Sequence, residues 1–248
     1  MASRGVAVEV ADRVWYLGHD FINVYAIEDG GRLTVVDSGI VASWPVIVAG
    51  LTAAGRSLTD VEAVVLTHAH PDHIGCAARL RRESDARIWI HEDDLTLAQG
   101  RRRARTSRSM LRYGWPAMRM AWYFVRRGAW RVPRIAQAST FADGEVLDVP
   151  GKPRVVHVPG HTVGSAALLL DDRRLLFSGD ALVNVRLLGR GPLPCLAPDA
   201  FNEDSNQALA SLARLEGLAA DVLLPGHGPP WSGGIAAAVA TARASGRY

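Results

Sequence analysis

Between residues 68 and 73 the chain reads His68-x-His70-x-Asp72-His73, four side chains able to ligate a metal within six residues. In extended backbone, residues two apart point the same way, so His68 and His70 can bring their imidazoles to one metal ion. Asp72 and His73 follow on the turn into the next helix and can face a second. Three more candidates lie in matching settings: His161 in Pro159-Gly160-His161-Thr162, Asp180 in Ser178-Gly179-Asp180, and His227 in Pro225-Gly226-His227-Gly228. Each has a glycine beside it, and glycine lets backbone turn sharply and approach closely, as a site shared by distant segments requires. Neutral imidazole and carboxylate suit zinc, and mixed nitrogen and oxygen sites also suit iron or manganese. Zinc with an open position lowers the pKa of bound water to about 7. Two metals roughly 3.5–4 Å apart can hold a hydroxide and polarise a carbonyl or phosphoryl oxygen. The expected chemistry is metal-assisted hydrolysis, with no Ser or Cys nucleophile required. Cys76, beside the cluster, reads as a small core residue.

Each candidate sits where a strand should end. Residues 61–66 form a continuous apolar run of strand length leading into the His68 cluster. Short β-branched or aromatic runs at 6–10, 14–17, 24–27 and 33–36, with Asp29-Gly30-Gly31 as the clearest break, predict an antiparallel meander. A helix is expected over 43–54, capped by Ser43 with Pro45 in its first turn. Residues 74–82 have helical character, and 88–90 read as a short strand. Strands at 154–158, 175–178 and 222–224 precede His161, Asp180 and His227, with a further strand at 166–170. Residues 206–218 read as a helix with Leu209, Leu212, Ala213 and Leu215 on one face, and 236–244 as a terminal helix. Two groups of strands, each followed by helices, imply two sheets packed face to face with helices outside.

The motifs run in order from Val35-Val36-Asp37-Ser38-Gly39 through the His68 cluster, His161 and Asp180 to Gly226-His227-Gly228. Over nearly the whole chain this resembles the metallo-β-lactamase superfamily. The resemblance implies an α/β protein, an αββα sandwich of two mixed β-sheets flanked by helices, in one domain over residues 1–248 with the site along one edge. It implies that His68, His70 and His161 hold one metal, that Asp72, His73 and His227 hold the other, and that Asp180 bridges both. Asp37 is expected to help orient the ligands, and Asp72 can also accept or relay a proton. True β-lactamases of the superfamily lack an Asp at the Ser-Gly-Asp position, so Asp180 argues against β-lactam hydrolysis. The Asp-bridged pattern is similar to that of glyoxalase II, N-acyl-homoserine lactonases, tRNA-processing nucleases and persulfide dioxygenases. Glyoxalase II adds a C-terminal helical domain, whereas 21 residues follow His227 here; the lactonases place a Tyr where this chain has Ala181-Leu182-Val183-Asn184. The implied activity is hydrolysis of a thioester, lactone or related ester by metal-bound hydroxide at two zinc ions. An iron-dependent persulfide dioxygenase, or a metal-dependent nuclease or phosphodiesterase, is the alternative.

Composition bounds the rest. Hydrophobic residues make up 48% and charged residues 21%, enough to bury a sizeable core. No run approaches about 20 uninterrupted apolar residues, so no transmembrane helix is expected. The N-terminus lacks an apolar stretch of signal-peptide length, and two cysteines cannot build a disulfide framework. A cytoplasmic enzyme acting on a small molecule is expected. The net charge of +3 conceals an asymmetry: residues 95–131 carry ten arginines and no acid, together with six of the 17 aromatics and three of the four methionines. This segment reads as a basic-aromatic helical insertion. A helix over 116–127 would place Met118, Ala121, Trp122 and Val125 on one face. As a cap over the metals it would line an acyl pocket with Met118 and Trp122, joined by Tyr25 of the first hairpin; the competing readings are a homodimer or membrane-surface contact and, least favoured, a nucleic-acid groove. His19, His91 and His157 read as hydrogen-bonding histidines outside the ligand set.

Overall fold

The meander expected at the start of the chain forms in the computed structural model, which describes residues 7–19, 21–105, 113–128 and 133–248. Strands β1 (Val8–Ala11), β2 (Val14–Tyr16), β3 (Tyr25–Asp29) and β4 (Arg32–Val36) pair antiparallel in sequence order. β5 (Val61–Val65), β6 (Arg87–His91) and β7 (Ser139–Phe141) then add in parallel, giving a seven-stranded mixed sheet. A four-stranded sheet follows from β8 (Arg154–His157), β9 (Ala166–Leu170), β10 (Leu175–Gly179) and β11 (Val222–Pro225), antiparallel except for the parallel β10–β11 pair.

Alternation along each strand divides the apolar residues between two layers. Val14, Tyr25, Ile27, Val36, Ala63 and Val65 meet Val155, Leu168, Leu170, Phe177 and Leu224 between the sheets. On the outer face of the first sheet, Ala26, Leu33, Val35 and Val64 pack under α1 (Trp44–Ala53) and α3 (Ala77–Ser84) through Ile47, Leu51 and Leu80. On the outer face of the second, Val156, Ala167, Leu169 and Leu176 pack under α6 (Ser205–Ser211), α7 (Ala213–Glu216) and α8 (Ile235–Ser245) through Ala208, Leu215 and Val239. All five residues of β9 are buried, as expected of a strand covered on both faces. The architecture is the expected αββα sandwich.

Local details differ from the sequence reading for identifiable reasons. The helix expected over 74–82 is two pieces, α2 (Pro71–Ile74) and α3, broken at Gly75, where a Cβ would collide with the backbone of Gly39 and Ile40. Ser43 does not cap α1 with its side chain; its Oγ instead accepts from the Ile40 amide and bonds His19 Nε2 at 2.8 Å. The helix expected over 206–218 divides into α6 and α7, and Asp204 caps α6 by accepting from the amides of Asn206 and Gln207. β7 has no counterpart in the sequence reading: Ser139-Thr140-Phe141 is too short to show alternation, and its pairing with β6 defines it. Within 95–131, the described helices are α4 (Leu95–Ala98) and α5 (Gly114–Arg126); Arg108, Arg112 and Arg131 lie outside the described residues.

Candidate metal centre

The loops leaving β4, β5, β8, β10 and β11 converge at one edge of the sandwich. Asp37, just past β4 at φ +59°, accepts from the Thr67 amide at 2.8 Å, from Thr67 Oγ1 at 2.9 Å and from His73 Nδ1 at 2.8 Å. Because the Thr67 hydroxyl proton goes to Asp37, its oxygen is left to accept from His68 Nδ1 at 3.1 Å. His161 Nδ1 meets Asn202 Oδ1 at 2.9 Å, and His227 Nδ1 meets the Phe21 carbonyl at 2.8 Å. In these four histidines an oxygen accepts from Nδ1, so Nε2 is the nitrogen turned inward, the arrangement a metal ligand needs. His70 presents Nδ1 instead, 2.8 Å from His161 Nε2.

The seven expected ligands form three overlapping groups: His68, His70 and His161; His68, His73 and Asp180; and Asp72, His73 and His227, with the donor atoms of each group within 4.8 Å of one another. Asp180 stands between the halves. Its Oδ2 lies 3.3 Å from His161 Nε2 and 3.2 Å from His227 Nε2, and its Oδ1 lies 3.5 Å from His73 Nε2. Asp72 Oδ2 is 3.3 Å from His227 Nε2. His68 Nε2, His73 Nε2 and Asp180 Oδ1 are buried without a hydrogen-bond partner. Buried polar atoms rarely go unsatisfied, and a divalent cation fits this donor set. At Gly226 a Cβ would meet both Asp180 Oδ1 and the His73 ring, so the close approach of β11's end to the ligands requires glycine.

The electrostatics divide the site. Burial pushes His68 and His70 down and His161 to about 4, leaving neutral imidazoles. Burial acts the same way on His73 and His227, but the carboxylates beside them outweigh it. Asp37 and Asp180 hold His73 well above the usual value, and Asp180 with Asp72 holds His227 at about 10. The same pairing lowers Asp72 to about 2 and Asp180 well below the carboxylate range, against the upward push of burial. In the metal-free protein, protons on His73 and His227 thus balance carboxylates that a cation would otherwise neutralise.

Two residues that sequence reasoning missed hold the ligand loops. Asp94, buried beyond β6, accepts from the Ala69 amide at 2.9 Å, Thr162 Oγ1 at 2.7 Å and the Gly164 amide at 3.1 Å. It thereby clamps the His68–His70 loop to the His161 loop, and Arg102 approaches it at 3.4 Å while also bonding Glu203. A signal was present, since Asp94 follows a strand end as the ligands do. Asn202, which orients His161, carried none.

Over the ligands lies a cavity of about 250 Å³ walled by Pro71, Met120, Phe124, Leu187 and Phe201. The expected pocket residues are not in that wall. Met118 and Trp122 are 60% and 62% exposed and border an adjoining, open groove of about 1090 Å³ that shares Met120 and Leu187 with the cavity, because α5 turns Met120 and Phe124 toward the candidate ligands instead. Tyr25 is buried between the sheets, its hydroxyl donating to the Pro225 carbonyl at 2.9 Å, so it supports the His227 loop from beneath. His19 bonds Ser43 and, at 3.2 Å, Arg127, while His91 and His157 stack on each other at 4.1 Å. Burial pushes the Cys76 thiol up to about 12.

A family model described as the metallo-beta-lactamase superfamily matches residues 17–227. The chain is 30% identical over 241 residues to the protein described as "Probable metallo-hydrolase YflN" of Bacillus subtilis (strain 168), covering 92% of this chain and 89% of that protein. It is 24% identical over 208 residues to an atrochrysone carboxyl ACP thioesterase of Aspergillus fumigatus, spanning 83% of this chain and 50% of that one. Among solved structures, a metallo-beta-lactamase family protein from Thermus thermophilus superposes with a TM-score of 0.70 at 25% identity, over 96% of this chain and 80% of that one. No helix among the described residues is long and apolar enough to cross a membrane.

Proposed function

The chain belongs to the metallo-β-lactamase superfamily and is a metal-dependent hydrolase, and on that premise we propose that it is a dinuclear zinc enzyme hydrolysing carboxylic thioesters, with lactones and related esters as the neighbouring class. The observation that carries this reading is Asp180, one carboxylate within 3.5 Å of His161, His227 and His73 and so able to serve both donor groups. We assign His68, His70 and His161 to one zinc, Asp72, His73 and His227 to the other, and Asp180 to both. Zinc held this way supplies Lewis acidity and lowers the pKa of water it binds to about 7.

The chain's own residues do the rest. Asp37, Asn202 and the Phe21 carbonyl hold the imidazoles in the required tautomers. We assign to Asp72, which lines the cavity, the relay of a proton from the attacking group to the leaving group beside its role as a ligand. Met120, Phe124, Leu187 and Phe201 exclude water and receive the apolar part of the acyl group. In this reading residues 1–248 are one domain, and the 95–131 segment caps the site through α5. Apolar walls beside a carbonyl-polarising centre favour a thioester, as does the likeness to a thioesterase.

The test is metal analysis combined with a panel of thioesters, lactones and phosphodiesters on metal-defined protein. About two zinc per chain with thioester turnover is expected. A single iron with persulfide consumption would overturn the reading. Phosphodiester cleavage with substrate affinity falling steeply with salt, as phosphate contacts release counterions, would overturn it also.

A further inference from the structure

Helix α5 has two working faces, and the site uses one of them. Trp115, Met118, Trp122 and Val125 are 66%, 60%, 62% and 59% exposed, half of the exposed large apolar side chains among the described residues. At 3.6 residues per turn they fall within about 80° of arc, while Met120 and Phe124, which wall the cavity, lie on the far side of the helix. Exposing so much contiguous apolar surface is costly unless something covers it. Directly beside the stripe stand Arg119 and Arg126, both exposed, with the Arg126 guanidinium 4.6 Å over the Trp122 ring. Arg101, Arg103 and Arg105 on the approach to the helix, and Arg190 across the open groove, are exposed as well. No acid occurs between residues 95 and 131, although the remainder of the chain carries 25 acidic residues against 18 basic ones.

The charge selects the occupant. Arg119, Arg186 and Arg190 line the open groove beside the stripe, but a small anion held there would leave the exposed side chains of Trp115, Met118, Trp122 and Val125 uncovered. A symmetric dimer through this face would set the same arginines against each other. An anionic bilayer complements both features. Tryptophan favours the headgroup boundary, arginine stems lie along apolar surface while their heads reach phosphate, and amphipathic helices of this kind lie in the interface plane. We propose that α5 docks on an anionic membrane surface, with Trp115, Met118, Trp122 and Val125 entering the headgroup–acyl boundary and Arg119 and Arg126 pairing with lipid phosphates. Docked this way, α5 lies between the bilayer and the cavity its other face walls.

The test is co-sedimentation of the full chain with vesicles, compared with W115S/W122S and R119E/R126E variants whose fold and metal content are checked first. Wild type is expected to bind phosphatidylcholine vesicles containing about 30% phosphatidylglycerol at about 0.1 M salt. Binding should fall at least about tenfold on pure phosphatidylcholine, at about 0.5 M salt, and in each variant. Absence of wild-type binding to the anionic vesicles would overturn the proposal. So would undiminished binding by W115S/W122S, which would mean attraction by charge alone, as for a soluble polyanion. A wild-type dimer in sedimentation velocity that W115S/W122S converts to monomer, with no vesicle binding by either, would assign the face to a second copy instead.

Discussion

Replacing Asp94 with Asn should weaken metal binding from outside the ligand set. The carboxylate is fully buried and receives Ala69 N and Thr162 Oγ1 at Oδ2 and Gly164 N at Oδ1, with Arg102 behind it. Hydrogen bonds to a charged group contribute about 1.5–3 kcal/mol each, and an orphaned buried donor costs about 1–3 kcal/mol. Asn can still accept on one side, but its amide group must face a backbone N–H or the Thr162 hydroxyl on the other. The net loss is about 3 kcal/mol, a substantial share of the roughly 5–15 kcal/mol that holds such a domain together. The metal-free melting temperature should fall by about 6–12 °C. Ala69 separates His68 from His70 and Thr162 follows His161, so losing the clamp frees three ligands from one another. Metal affinity, read by competition with a chromophoric chelator, should drop about 10- to 100-fold. Asp93→Asn, at a half-exposed neighbouring carboxylate, should change stability by no more than about 0.5 kcal/mol. Unchanged metal affinity in Asp94→Asn, whatever happens to the melting temperature, would refute the argument that this carboxylate positions the ligand loops.

Three further outcomes are expected. Asp180→Ala loses metal occupancy and turnover together while circular dichroism still reports a folded chain; activity near wild type would remove Asp180 from the bridging position. His73 and His227 both carry raised pKa values, the latter about 10, so each holds a proton at pH 7 that a metal must displace. Calorimetry in buffers of differing ionisation enthalpy should therefore record release of about two protons per chain on metal loading, with the His227 share vanishing as pH rises through about 10. Each acyl methylene buried in the cavity should contribute about 0.8 kcal/mol until the space is filled. Phe124→Ala should flatten that chain-length dependence and raise KM at constant metal content, and an unaltered acyl profile would place the acyl group elsewhere.

Much of the candidate site was legible in the sequence because metal chemistry restricts the residue types that can serve and because each candidate ligand lies in a local pattern, an apolar strand followed by a glycine-bearing turn. His68, His70, Asp72 and His73 announce themselves by spacing alone, and the strand runs before His161, Asp180 and His227 foreshadow the edge on which they meet. The two-sheet architecture was legible for the same local reason: period-two alternation and fully apolar runs distinguish strands covered on one face from those covered on both. Other features depended on residues far apart in the chain. Which imidazole nitrogen faces inward is set for His227 by the carbonyl of Phe21, and for His161 by Asn202, partners that no spacing rule connects. Asp94 becomes a clamp only when β6 ends beside the Thr162 turn. Tyr25 alternates as a strand residue should, but the packing of the second sheet decided that its inward face meets core instead of cavity. The helical period of α5 likewise defined an apolar stripe without saying which way it turns. Periodicity is a property of one helix taken alone, and orientation belongs to its docking against the rest of the fold. That docking turned Met120 and Phe124 inward and left Trp115 and Trp122 facing out.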